Sequence, residues 1–128
     1  MKYFIDTNIV VDCLNGDIQL VQRFNHIDSV FISCVSIGEL YLGAFLSTNL
    51  EKESEKISNL INEYCQIIEI DILIAISYAQ LKSKLWKAGK LKSDNDIRIA
   101  STAMEHDLVL ITRDNALLEL DCVKTEKW

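Results

Sequence analysis

A chain of 128 residues has room for one ordinary hydrophobic core, so we predict a single domain over residues 1–128. Its 49% hydrophobic and 25% charged content excludes a disordered chain, and its apolar runs fall short of the ~20 residues that a membrane helix needs. Met1-Lys2 leads directly into Tyr3-Phe4-Ile5-Asp6, which is too short an apolar run for a signal peptide, so we expect a cytoplasmic protein without a membrane segment. The net charge of −6 argues against a general nucleic-acid binder, since such proteins are usually basic.

Short apolar runs alternate with helical patterns along the chain. Strands are predicted at Tyr3–Ile5, Val30–Ile32, Gln66–Ile70 and Leu108–Thr112, with a short fifth strand at Cys122–Thr125. A first helix is predicted after Asp6, through Val10 and Leu14. Further helices are predicted at Ile18–Phe24, Ser36–Phe45, Glu51–Tyr64, Ile72 to about Ala88, and Asp96–His106. Gly89 is expected to end the helix that begins at Ile72. Because several strands are continuous apolar runs that alternate with helices, we predict an α/β fold, a three-layer α/β/α sandwich around a central parallel sheet.

Four cysteines stand at positions 13, 34, 65 and 122, with no Cys-x-x-Cys pair and no histidine at zinc-finger spacing. Each lies in or beside an apolar segment. We therefore expect small buried core residues rather than a disulfide framework or a zinc site.

Four acidic residues are predicted at one edge of the sheet. Asp6 ends the first strand, and Glu39 lies in the first turn of the helix after the second. Asp96 opens the helix that leads into the fourth strand, and Asp114 follows that strand directly. Because ligands of parallel α/β sheets bind beyond the carboxyl ends of the strands, the four carboxylates are expected to converge there.

Such a cluster of carboxylates is self-repelling unless protons, basic groups or a divalent cation relieve it. Hard oxygen ligands favour Mg²⁺ or Mn²⁺. A metal held in this way activates water for attack on a phosphodiester without a catalytic histidine, and the only two histidines, His26 and His106, lie away from the four acids in sequence.

Each acid also has a structural interpretation. Asp6 could cap the helix that follows it, together with Thr7 or Asn8. Ser36-Ile37-Gly38-Glu39 fits a capping box, and Asp114 could be a turn residue. Asp96 could be a helix cap, as could Asp94 and Asn95, and Asp94 could replace Asp96 as a ligand.

Four segments in order resemble the motifs of PIN domains. They are Phe4-Ile5-Asp6-Thr7-Asn8-Ile9, then Ser36-Ile37-Gly38-Glu39 with Gly43-Ala44, then Asn95-Asp96-Ile97-Arg98-Ile99-Ala100, and finally Leu110-Ile111-Thr112-Arg113-Asp114. A PIN domain this short, with Trp128 at its end, is similar to the VapC-type toxins. One departure is Ser101-Thr102, where a second small apolar residue is commoner, and we expect it to affect packing rather than chemistry.

The resemblance implies an Mg²⁺- or Mn²⁺-dependent endoribonuclease with a PIN-like fold, leaving 5′-phosphate and 3′-hydroxyl products. It implies Asp6, Glu39, Asp96 and Asp114 as catalytic metal ligands, with Thr7, Asn8 and Thr112 as supporting polar groups. It also implies three partners: an RNA substrate, a small antitoxin whose tail covers the acidic site, and a second copy of the chain in a homodimer.

Five lysines between positions 82 and 92 precede the third acidic segment, with Trp86 among them. They could guide RNA phosphates to the metal while Trp86 stacks on a base, or they could form a solvated helix face beside a core or dimer-interface tryptophan. The candidate RNA contacts are Lys87, Lys90, Lys92, Arg98 and Arg113.

Three other functions compete with the ribonuclease. A response-regulator receiver would use Asp71 as phosphoacceptor, with Lys124 near the fifth strand, but Thr7 and Asn8 stand where its acidic pair is needed. An Asp-x-Asp phosphatase fails because Asn8 occupies the second position. A non-catalytic PIN-like RNA-binding module is the third, although all four carboxylates are intact.

Overall fold

A computed structural model describes residues 2–128 of the chain. Five strands run over Tyr3–Ile5 (β1), Val30–Ser33 (β2), Cys65–Ile68 (β3), Val109–Ile111 (β4) and Thr125–Glu126 (β5). The helices are Thr7–Leu14 (α1), Ile18–Asn25 (α2), Cys34–Leu46 (α3), Leu50–Tyr64 (α4), Ile72–Lys87 (α5), Asp94–Glu105 (α6) and Asn115–Leu118 (α7).

The strands form one parallel sheet in the order β3-β2-β1-β4-β5. The first strand is therefore central, with Ile5 paired to Ile32 on one side and to Ile111 on the other. Because all strands point the same way, the residues that follow β1, β2 and β4 meet at one edge of the sheet.

Helices cover both faces of the sheet. Ile5, Ile32 and Ile111 pack against α1, α2, α3 and α4, whereas Phe4 and Leu110 pack against α5, α6 and α7. All five side chains are fully buried. Burial on both faces explains why these strands are continuous apolar runs, and the predicted three-layer α/β/α architecture is confirmed.

The predicted elements are present, with shifted ends. The fifth strand was wrongly placed at Cys122–Thr125, because Thr125 is the first residue that pairs with Leu110 of β4. The ending of α5 at Gly89 is confirmed. Gly89 has a φ of +68°, and the N–H groups of Gly89 and Lys90 donate to carbonyls of the last helical turn.

The cysteines differ from expectation. Cys13 is buried, but Cys34 and Cys65 are only partly buried and Cys122 is exposed in the turn before β5. The prediction of four buried core cysteines was therefore wrong for three of them. Within residues 2–128, no helix is both long and apolar enough to cross a membrane.

Candidate active site

Asp6 lies where β1 meets α1, at the carboxyl edge of the sheet. Its N–H donates to the carbonyl of Ile111 on neighbouring β4 (3.0 Å), and its Oδ1 accepts from the N–H of Thr7 (2.8 Å). The capping role predicted for Asp6 is confirmed. The residue is only 3% exposed, so its carboxylate is largely removed from solvent.

Thr112 connects Asp6 to the loop that carries Asp114. Its hydroxyl donates to Oδ2 of Asp6 (2.9 Å) and accepts from the N–H of Asp114 (3.0 Å). Asp114 caps α7 by accepting from the N–H of Ala116 (2.9 Å). One buried hydroxyl therefore joins two segments that are 106 positions apart in sequence.

Glu39 is joined to the same region through Thr7. The Thr7 hydroxyl donates to Oε1 of Glu39 (2.9 Å), and Oγ of Ser36 lies 2.9 Å from the same threonine oxygen. Thr7 and Ser36 are buried and Glu39 is partly exposed. The residue next to Asp6 thus fixes the direction of the Glu39 carboxylate.

The start of α3 corrects the capping-box interpretation of Ser36 and Glu39. Ser33 caps the helix by accepting from the N–H of Val35 (3.1 Å), so α3 begins at Cys34. Ser36 is inside the helix, and Glu39 lies in its second turn rather than its first. The Glu39 carboxylate is therefore free of any capping role and faces Thr7.

The start of α6 is corrected in the same way. Ser93, rather than Asp94, Asn95 or Asp96, caps the helix, and its hydroxyl accepts from the N–H of Asp96 (3.2 Å). The Asp94 carboxylate accepts from Lys82 (2.7 Å) and from the hydroxyl of Tyr78 (2.8 Å), and these contacts hold its pKa below the usual range. Asp94 is thereby directed to α5.

The carboxylates of Asp6, Asp96 and Asp114 act on one another electrostatically. Burial raises the pKa of Asp6 to about 6; hydrogen bonds from Thr112 and Thr7 oppose this shift, and the charges of Asp96 and Asp114 add to it. Burial also raises the pKa of Asp96, with Asp114 adding to the shift and Lys92 opposing it. Three acids from three different segments therefore share one site.

The donor chemistry of this site suits a hard divalent cation. Within residues 2–128, no three histidine, cysteine, aspartate or glutamate side chains converge into a ready-made metal-binding group. Mg²⁺, however, usually takes only one or two carboxylates and completes its shell with water and substrate oxygens. Mutually destabilised carboxylates with hydroxyl neighbours fit such an ion, because its charge would offset their repulsion.

Arg113 stands between Thr112 and Asp114 and is bound on three sides. Its Nη1 donates to Oδ2 of Asp12 (3.0 Å) and to Oδ2 of Asp17 (2.9 Å), and its Nε donates to the main-chain oxygen of Trp128 (2.7 Å). Neither Asp12 nor Asp17 belongs to a motif that the sequence alone would single out. No local pattern pairs them with an arginine that lies 101 and 96 positions away.

Residues 3–121 match the family model of the PIN domain. This chain belongs to the PIN-domain family. Ribonuclease VapC2 of Haemophilus influenzae is 32% identical over 133 aligned residues, covering 100% of this chain and 98% of that protein. The toxin FitB of Neisseria gonorrhoeae is 32% identical over 93 residues, covering 69% of this chain and 67% of that protein. The PIN domain described here is therefore VapC-like.

Solved structures of toxin–antitoxin complexes share this fold. VapBC-1 from nontypeable Haemophilus influenzae superposes with a TM-score of 0.89 at 26% identity, covering 100% of this chain and 98% of that one. VapBC2 from Rickettsia felis, bound to a DNA fragment from its promoter, gives a TM-score of 0.93 at 23% identity, with 100% and 99% covered.

The receiver interpretation of Asp71 was wrong. Asp71 follows β3, which is the edge strand of this PIN domain, whereas the third strand of a flavodoxin-like sheet is central. Its carboxylate caps α5 by accepting from the N–H of Ile74 (2.9 Å). Asp71 therefore does not lie among the central acids.

The predicted RNA contacts have different surroundings. Lys87 and Lys90 are exposed, Lys92 pairs with Glu119 (3.0 Å), and Arg98 donates to Asn95 (3.2 Å) and lies over the ring of Tyr78. Trp86 is 68% exposed, so the alternative of a core tryptophan was wrong. Of the five basic candidates, Arg113 has the most polar contacts within the fold.

The remaining polar residues of the four motifs, Asn8, Ser101 and Thr102, lie in α1 and α6. Asn8 is exposed in the first turn of α1. Ser101 and Thr102 are buried, and their hydroxyls donate to the carbonyls of Ile97 (2.7 Å) and Arg98 (2.8 Å) one turn earlier. The two hydroxyls that depart from the family pattern are therefore hydrogen-bonded within α6 itself.

Proposed function

We propose that this PIN domain is a Mg²⁺- or Mn²⁺-dependent endoribonuclease and the toxin of a toxin–antitoxin pair. The observation that carries the proposal is the placement of Asp6. Its buried carboxylate lies at the end of β1, beside β4, is hydrogen-bonded to Thr112, and is coupled electrostatically to Asp96 and Asp114. The ribonuclease named VapC2 at 32% identity over the whole chain supports RNA as the substrate.

Asp6, Asp96, Asp114 and Glu39 would hold the metal ion. When bound, a divalent cation lowers the pKa of a coordinated water and neutralises charge that develops on a phosphate. The protein's contribution is orientation, because each oxygen of Asp6 is fixed by one donor and keeps a lone pair for a ligand. Thr7 orients Glu39 in the same way.

Hydrolysis at this site would leave 5′-phosphate and 3′-hydroxyl ends. Asp6 must be ionised to hold a cation, so the apparent affinity for Mg²⁺ or Mn²⁺ should fall as the pH decreases through about 6, the pKa of the metal-free carboxyl group. Among the five candidate RNA contacts, Lys87 at the end of α5 and Lys90 in the loop after it are the exposed ones. Such a local basic surface would allow RNA to bind a chain of net charge −6.

The antitoxin surface that we propose continues from Glu39 along α3. Leu42 and Leu46 follow Glu39 at helical spacing, and with Phe45 they are among the most exposed large apolar side chains. A groove of about 220 Å³ beside them is lined by Glu39 and Gly43, among others. An apolar antitoxin segment bound here would lie beside Glu39 and could cover the acidic site. The similar structure of VapBC-1, at 26% identity, supports an antitoxin partner in general.

A homodimer is the second assembly that we propose. The exposed face of α5 carries Ile72, Ile76 and Trp86, which lie at positions i, i+4 and i+14 of one helix. Burying such a stripe against a second copy would remove a large apolar area from water. Sedimentation of the purified chain would measure the oligomeric state.

The test is cleavage of labelled single-stranded RNA by the antitoxin-free wild type, Asp6→Asn and Asp71→Asn, each with Mg²⁺, Mn²⁺ or EDTA. Asp71 is a matched control, because it also follows a strand and caps a helix but lies at the sheet edge. We expect metal-dependent cleavage that is lost in Asp6→Asn, by about 100-fold or more, and retained in Asp71→Asn.

Two results would overturn this proposal. One is folded wild type that cleaves none of several RNAs with either metal; RNA binding without cleavage would then identify a non-catalytic module. The other is metal-dependent cleavage that survives in Asp6→Asn, which would place the reaction elsewhere on the protein.

A further inference from the structure

The loop after β4 is attached to α1 at both ends of that helix. Thr112 bonds Asp6, which caps the first turn, and Arg113 bonds Asp12, which lies in the last turn. The two acids are six residues apart, about 9 Å along a helix. Two consecutive side chains, Thr112 and Arg113, therefore fix both the position and the orientation of the loop relative to α1.

The second and third partners of Arg113, Asp17 and Trp128, are themselves fixed. Asp17 caps α2 through Oδ1, which accepts from the N–H of Leu20 (3.2 Å), while Oδ2 accepts from Arg113. The main-chain oxygen that receives Nε belongs to Trp128, whose ring packs on Tyr3 and Phe24 with centroids 5.2 and 6.1 Å apart. The guanidinium is thus bound to α1, α2 and the segment after β5.

From these contacts we propose that Arg113 is a positioning residue, which holds the loop of Thr112 and Asp114 against α1 and does not contact RNA. The proposal rests on the ribonuclease function only in naming Asp114 as part of the active site.

The charges around Arg113 and the geometry of its hydrogen bonds both argue against a contact with an RNA phosphate. Two carboxylates face one guanidinium, so the local charge is negative, and the side chain is 27% exposed. A planar fork can donate to two carboxylates and a carbonyl at once, whereas a lysine ammonium is a compact point charge without that fixed planar geometry. The arrangement therefore needs arginine specifically.

The test compares Arg113→Gln, Arg113→Lys and the double variant Asp12→Asn/Asp17→Asn with wild type. We expect kcat for RNA cleavage and Mn²⁺ affinity, measured by calorimetry without RNA, each to fall about 10-fold, as for other residues that orient metal ligands. KM should stay within about twofold. Arg113→Lys should not restore either quantity, and combining Arg113→Gln with the double variant should add little, because one clamp is removed in both.

Lys124→Gln is the control, since Lys124 pairs with Asp107 on the surface in a contact of similar length (2.8 Å). It should leave all these quantities unchanged. An RNA contact by Arg113 would give the opposite pattern. KM would rise in Arg113→Gln, and Asp12→Asn/Asp17→Asn would bind RNA more tightly because it frees the guanidinium.

Amide hydrogen exchange separates this inference from the ribonuclease proposal. The N–H of Asp114 donates to Thr112, so it should exchange faster in Arg113→Gln and in Asp12→Asn/Asp17→Asn even if the wild type neither cleaves RNA nor binds Mn²⁺. Unchanged exchange at Asp114 in both folded variants would overturn the positioning role.

Discussion

The Asp6 carboxylate is placed where its charge is costly. It caps α1 and is 3% exposed, and two further acids lie near enough to oppose its ionisation. Thr112 and the N–H of Thr7 recover part of this cost by hydrogen bonding to the ionised form. In the ligand-free protein the ionised form of Asp6 is therefore destabilised, and a bound cation would relieve this electrostatic cost.

Asp6 gives the metal-free protein a defined pH dependence of stability. Its pKa is about 6 when folded and 3.8 in the reference state, so the folded form binds more protons between these values. The contribution of Asp6 to stability is therefore fully present below about pH 4 and is lost as the pH rises from there through about 6, by on the order of 3 kcal/mol. Asp6→Asn should flatten this dependence.

Urea denaturation in EDTA at pH 5 and pH 7.5 measures this effect in wild type and Asp6→Asn. The free energy of unfolding should fall over this range in wild type and fall less in the variant. A remaining slope is expected from Asp96, whose pKa is raised in the same direction. Equal slopes in the two proteins would mean that Asp6 is already ionised at pH 5.

Among the elements, α1, α5 and α6 end in the same way, with a left-handed residue just after the cap. Gly16 and Gly89 take this position after α1 and α5, with φ of +90° and +68°, and Asp107 takes it after α6 with φ +50°. The N–H groups of Asp107 and Leu108 donate to the carbonyls of Met104 and Ala103, as in a Schellman ending. Only Asp107 has a side chain that disfavours this conformation.

Asp107→Gly should therefore stabilise the protein, and Gly89→Ala should destabilise it, each by about 1 kcal/mol. A methyl group at Gly89 would meet nothing within 4 Å, so its cost comes from the backbone alone. Asp107 also pairs with Lys124, but both side chains are exposed and such a pair contributes little. Denaturation midpoints measure both changes, and a less stable Asp107→Gly would assign more weight to that ion pair.

At the scale of the whole molecule, the negative charges that we expect to bind a cation, those of Asp6, Asp96 and Asp114, lie at one edge of the sheet. A divalent cation bound there should stabilise the folded state by about 1.4 kcal/mol at ten times its dissociation constant, which raises Tm by about 4 °C. Thermal denaturation with Mn²⁺ should show this shift in wild type and in Asp71→Asn but not in Asp6→Asn. A similar shift in all three proteins would indicate cation binding at another place.

Local patterns in the sequence determined the elements and the edge at which the acids meet. Apolar runs and 3.6-residue periodicity are properties of neighbouring residues, and parallel strands place the residues that follow them, Asp6 and Asp114 included, at the same edge of the sheet. The PIN resemblance, which rested on four short motifs, agrees with the family match over residues 3–121 and with the parallel sheet of the structure.

Only the tertiary structure decided which polar groups pair. Ser33 and Ser93 start their helices because the chain arrives there extended from β2 and from the loop after α5, which moved Ser36 and Asp96 into the helices. The exposure of Trp86 and the binding of Arg113 by Asp12 and Asp17 depend on contacts between distant segments. Such contacts leave no periodic trace in the sequence, because they are set by how the helices pack and not by any one helix.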